Sequence, residues 1–154
     1  MLVGCGSERD AVPTVSFDTA FEEAVRLHGQ ETFPNSMARE EGFDLKQHIA
    51  DVHADFVRVS QQFQNEAGVA YLGQKLHALH DEEAEFASHC AIVMLAESGR
   101  DDAVALLARL ARGDANIMPH LATAGSEERE RITGHAADLL AKLRAPNSND
   151  IHRQ

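Results

Sequence analysis

Apolar residues recur along this chain at steps of three and four, the spacing that lines one face of an α-helix. The first run carries Phe17, Phe21, Ala24, Val25 and His28 behind Ser16, whose hydroxyl suits a helix cap, and Gly29 is expected to end it. Residues 30–43, with Pro34, Asn35, Ser36 and Gly42, read as a loop. The clearest stripe follows. Leu45, Ile49, Val52, Phe56, Val59 and Phe63 form a heptad-like seam. Asp44 precedes it as a cap, with Gln47 three residues on in the manner of a capping box, and Gly68 is expected to stop or kink the helix.

A third helix is predicted from about Tyr71 to Glu97, closed by Ser98-Gly99, with Leu72, Leu76, Leu79, Glu83, Phe86, Cys90 and Val93 in its seam. Asp101 or Asp102 opens a short helix through Val104, Leu107 and Leu110 to Gly113. Pro119 suits the first turn of a brief segment between Asn116 and Ala124. Ser126 caps the last helix, whose seam is Ile132, Ala136, Leu139 and Leu143 and which Pro146 closes. Four substantial helices with short connections predict an all-α, antiparallel four-helix-bundle-like domain with one or two extra short helices. That domain is expected over 16–145, between a flexible leader (1–15) and a disordered tail (146–154).

Composition supports helices over strands: aromatic residues are 5%, Trp is absent, and Ala and Leu recur where β-branched runs would be needed. A formal charge of −11 repels phosphate backbones and argues against nucleic-acid binding. No apolar run is long enough to span a membrane, so the chain reads as cytoplasmic as written. An alternative arises at Leu2-Val3-Gly4-Cys5, which fits a bacterial lipoprotein cleavage pattern followed by a polar linker. On that reading the start lies upstream and Cys5 anchors an envelope protein.

Candidate chemistry concentrates on the third predicted helix, with His77, His80, Asp81, Glu82, Glu83, Glu85, His89 and Cys90. His77 and Asp81, His80 and Glu83, and Glu85 and His89 share faces at three- and four-residue spacing. Glu83 falls in phase with the apolar seam, where an ionised carboxylate costs several kcal/mol unless it is paired or bound to a cation. One account leaves Glu83 at an interface edge and Cys90 as a small core hydrophobe. The other brings His53, Cys90 and one or two of His89, His120 and His135 together as a tetrahedral nitrogen and sulfur site. Such a set favours zinc over magnesium or calcium, with Glu83 as a ligand or as acceptor for a ligating imidazole.

Other bundle chemistries fit poorly. Di-iron carboxylate sites use paired Glu-x-x-His, whereas Glu85-x-x-x-His89 has the wrong spacing and no second copy. Covalent haem attachment needs Cys-x-x-Cys-His, which is absent. No set of acid, base and nucleophile assembles, so an enzyme is not expected.

The run Phe43-Asp44-Leu45-Lys46-Gln47-His48-Ile49-Ala50-Asp51-Val52-His53-Ala54-Asp55-Phe56-Val57 resembles the opening helix of the chemoreceptor zinc-binding domain family, in which an early His precedes an aromatic residue by three. His89-Cys90 and Glu97-Ser98-Gly99-Arg100 look like that family's His-x-Cys segment and following glycine, though here His and Cys are adjacent. Over about 43–125 the resemblance implies a four-helix bundle with zinc held by three His and one Cys, His53 and Cys90 being the first His and the Cys. The chain departs from the family after Cys90, where Ile92-Val93-Met94-Leu95 replaces Leu-Gly-Lys-Trp. The closing His-x-x-x-His pair is missing too, with only His120 and His135 or, in another register, His77 and His80 to stand for it. The resulting expectation is a non-catalytic sensor or regulatory domain binding zinc at His53, Cys90, His120, His89 and Glu83, with a protein partner or a second copy of itself as reader. The alternative is a structural or partner-binding helical protein without metal.

Overall fold

A computed structural model describes residues 16–32 and 44–144. Cys5, the leader, Pro34 to Gly42, Pro146 and the tail lie outside the described residues. The chain is all-α: six α-helices and two short 3-10 turns occur among the described residues, and no strand. No helix there is long and apolar enough to cross a membrane. The chain divides into two compact units, residues 1–59 and 60–154.

The N-terminal unit holds α1 (Phe17–Thr32) and nearly all of α2 (Leu45–Ser60). Ser16 Oγ accepts from the Thr19 amide at 3.1 Å, and Asp44 Oδ1 accepts from the Gln47 amide at 3.1 Å, so both expected caps form. Gln47 does not close the box; its side chain donates forward to Asp51 at 2.8 Å. Ala20, Phe21, Ala24 and Leu27 are the buried face of α1, and Val52 and Phe56 that of α2. The His28 ring lies 5.8 Å from that of Phe56, between centroids. Gly29 does not end α1, which runs on to Thr32.

The C-terminal unit contains a 3-10 turn at Gln61–Phe63, then α3 (Glu66–Ala78), α4 (Ala84–Ser98), α5 (Asp101–Ala111), a 3-10 turn at Pro119–Ala122, and α6 (Ser126–Arg144). Gly68 is not a helix stop. It lies in the first turn of α3, donating its amide to the Asn65 cap at 2.7 Å. A glycine is needed there because a Cβ would come within 2.4 Å of the Phe63 backbone.

The long third helix predicted over Tyr71–Glu97 is in fact two. Leu79 turns extended (φ −69°, ψ 136°) and ends α3. Asp81 adopts a left-handed φ of 75°, which Asp tolerates because its short side chain bonds locally, here accepting from the Glu83 amide at 3.0 Å. The break resets the helical phase. Glu83 becomes the N-cap position of α4 and is exposed, so the expected carboxylate in the core does not occur.

Beyond that break α4 is the centre of the unit. Ala84, Ser88, Cys90, Ala91, Ile92, Met94 and Leu95 are all buried, so more than half of the helix circumference is covered. Its small residues let neighbours approach closely, and the buried Ser88 hydroxyl is satisfied by the Glu85 carbonyl at 2.7 Å. α5 packs against both α4 and α6 through Ala103, Leu107 and Leu110. α6 buries Ile132, Ala136 and Leu140, a strict four-residue step, so Leu143 from the expected heptad seam is 41% exposed. Between α5 and α6, Arg129 donates to the carbonyls of Leu121 and Ala124 at 3.0 and 3.1 Å and pins the irregular segment.

Two substitutions test this packing in opposite directions. Gly68→Ala should lower unfolding stability by about 1–3 kcal/mol in urea, because the Phe63 backbone must move. Ser98→Ala should be neutral or stabilising by up to about 1 kcal/mol, because the Ser98 hydroxyl is buried without a hydrogen-bond partner.

Candidate functional site

Histidines are drawn together on one face of the C-terminal unit. Glu85 and His89 are four apart on α4, and Arg131 and His135 are four apart on α6, so each pair projects from one helix face. The Nδ1 atoms of His89 and His135 face one another at 2.5 Å, with ring centroids 4.4 Å apart and planes inclined by 37°. One turn earlier Arg131 grips Glu85 with both arms, Nε to Oε2 at 2.6 Å and Nη2 to Oε1 at 3.1 Å. Both rungs join residues 46 apart in sequence, so α4 and α6 run in the same direction where they meet.

The rungs are coupled. Glu85 Oε2 also lies 3.6 Å from His89 Nε2, so the carboxylate stands between the guanidinium and the imidazole. Hydrogen bonding to Arg131 is the chief reason the Glu85 carboxyl is held below its ordinary range. His89 is half-buried, and desolvation lowers its pKa against the raising effect of Glu85, so its neutral form is favoured. Beside the rings opens a pocket of about 350 Å³, lined by His89, Glu130, Arg131, Gly134, His135 and Asp138. Glu130 and Asp138 outnumber Arg131 on its wall, a charge balance that favours cations.

Of the residues expected to ligate metal, His89 and His135 are brought together in this cluster and the others are not. His53 is exposed on α2, in the N-terminal unit. Cys90 follows His89 but points into the core, its Sγ 3.9 Å from Met94 Sδ, and burial pushes its thiol up to about 12. His120 bonds Glu128 through Nε2 at 2.9 Å and holds the segment before α6 to that helix. Glu83 sits exposed at the start of α4. Among the described residues no three His, Cys, Asp or Glu side chains form a group that could hold a metal ion. Arg131, Glu130 and Asp138 were not singled out in the sequence. The signal for Arg131 was its place four residues before His135, which repeats the step from Glu85 to His89.

No protein-family model matches the chain, no characterised protein matches it, and no solved structure matches it.

A buried, un-ionised thiol is a poor nucleophile as well as a poor ligand. In a Cys5→Ser background, Cys90 should resist alkylation by iodoacetamide at pH 8 in the folded protein and react fully in guanidinium. Rapid native-state labelling would show that the thiol is accessible.

Proposed function

We propose that this chain is a non-catalytic regulatory domain that binds a transition metal, zinc foremost, at His89 and His135. The single observation that carries the reading is the pair of imidazole nitrogens facing each other from two packed helices beside an acidic, open pocket. Imidazole is the common nitrogen ligand of zinc, with bonds of about 2.0–2.1 Å, so a tetrahedral ion needs its two nitrogens about 3.3 Å apart. The rings must part by less than an ångström from their 2.5 Å separation, a shift that side-chain rotation can supply. Water would complete the shell. A bound ion would clamp α4 to α6, and a partner protein or second copy would read that clamp. Cys90, which the resemblance to chemoreceptor zinc-binding domains would enlist, has no part in this site.

A second reading, a structural or partner-binding helical protein without metal, is favoured by the lack of any three-residue metal-binding group among the described residues. Anchoring through Cys5 belongs to the envelope form of that reading.

Elemental analysis and zinc titration of untagged protein separate the two. The metal reading expects one zinc per chain and, at a hundredfold excess over Kd, stabilisation of about 2.7 kcal/mol. His135→Ala should lose both effects while Cys90→Ala keeps them. Absence of zinc from the wild type, or its retention by the His89→Ala/His135→Ala double variant, would leave the metal-free reading standing.

A further inference from the structure

The contact between two like nitrogens raises a question that the metal reading does not answer: which of them holds the proton when no cation lies between them. Two bare lone pairs at 2.5 Å would repel, and two N–H groups would clash, so one ring donates and the other accepts. A neutral imidazole carries one N–H, and the partner of its far nitrogen decides where that proton sits.

The second rung supplies that partner for His89. Glu85 is an acceptor only, since Arg131 holds it ionised, and its Oε2 stands 3.6 Å from His89 Nε2. A proton on Nε2 points at a carboxylate; a bare lone pair there would face the same negative oxygen and be repelled. The arrangement on α4 therefore favours the Nε2–H form and leaves Nδ1 as the acceptor toward His135. His135 must then be the donor, through Nδ1–H.

We propose that Glu85, braced by Arg131, is a positioning residue that fixes the tautomers of the pair: His89 protonated at Nε2 and accepting at Nδ1, His135 protonated at Nδ1 and donating. This rests on the metal reading only for its consequence, which is that both imidazoles meet a cation through Nδ1. His89 already presents that nitrogen bare. A carboxylate behind a ligating imidazole also makes the nitrogen on the metal side a better donor, and removing such a partner commonly weakens metal affinity about 10–100-fold.

The same geometry explains the fork on Glu85. With Arg131 in place both carboxylate oxygens are engaged, which disfavours a swing across to bind the cation itself. Its role is to orient a ligand rather than to become one.

Long-range nitrogen–proton NMR of histidine-labelled, metal-free protein tests the tautomers directly, without reference to metal. The expected spectrum shows His89 as the Nε2–H form and His135 as the Nδ1–H form. In Glu85→Ala the His89 ring should become a mixture of tautomers, and Glu85→Gln, which keeps an acceptor oxygen at the same reach, should restore much of the Nε2–H form. Finding His89 protonated at Nδ1 in the wild type, or unaltered tautomers in Glu85→Ala, overturns the proposal. Zinc titration of the same proteins reads the consequence, with Glu85→Ala about 10–100-fold weaker and Glu85→Gln closer to wild type. If the wild type binds no zinc but shows the expected tautomers, the metal reading fails and the positioning role of Glu85 stands. If zinc binds equally to all three proteins and the wild type itself already shows a mixture of tautomers, the positioning role fails and the metal reading stands. Circular dichroism should show unchanged helix content, since Glu85 is only partly buried and Arg131 is exposed.

Discussion

Burial of α4 over more than half of its circumference constrains everything polar that this helix carries. A helix enclosed in this way has few positions at which a charged or titratable group can meet solvent. In α4 those positions include the first turn, where Glu85 stands, the edge facing α6, where His89 emerges, and the last turn, where Glu97 is exposed. Cys90, about 100° further round, belongs wholly to the interior. The helix thus separates two neighbouring residues that sequence alone would join in one site: an imidazole half in solvent, and a thiol kept un-ionised by its surroundings.

That separation depends on the break at Leu79–Glu83. A continuous helix from Tyr71 to Glu97 would have kept Glu83 in line with Leu76 and Cys90 and called for a buried partner. Asp81 takes the left-handed turn instead, and the new helix starts with its acidic residues at its N-terminal end, where the backbone amides and helix dipole favour negative charge. The cluster Asp81-Glu82-Glu83 is then a helix-start signal rather than a core anomaly.

Much of this architecture was legible in the residues themselves. Ser16 and Asp44 were readable as caps because a short oxygen-bearing side chain before an apolar stripe has few other uses. The helix class and the α5 boundaries followed from the spacing of Leu107 and Leu110 and from Gly113, whose φ of 76° a glycine accommodates without strain. The split between α3 and α4 was not legible, since neither Gly nor Pro marks it and a left-handed Asp leaves no periodic trace. Nor was the partition of the histidines. His53, His89 and His135 each adjoin a seam residue and His120 follows Pro119 in a short segment, and spacing along the chain cannot say which of them will face one another. That depends on the path of α5 and the segment after it, which return the chain so that α6 runs alongside α4 in the same direction.

The matched four-residue steps on those two helices give the site its order. Because α4 and α6 run the same way, a one-turn step on each advances the contact by one rung, from Glu85–Arg131 to His89–His135. The charged rung lies at the more exposed end and is worth little as an isolated surface pair, for which about 0–1 kcal/mol is typical. Its value lies in direction. A fork of two hydrogen bonds aligns the carboxylate, and the carboxylate faces one nitrogen of the imidazole in the next turn. Two rungs with no special stability of their own can in this way hold a pair of nitrogens in defined roles at the mouth of an acidic pocket.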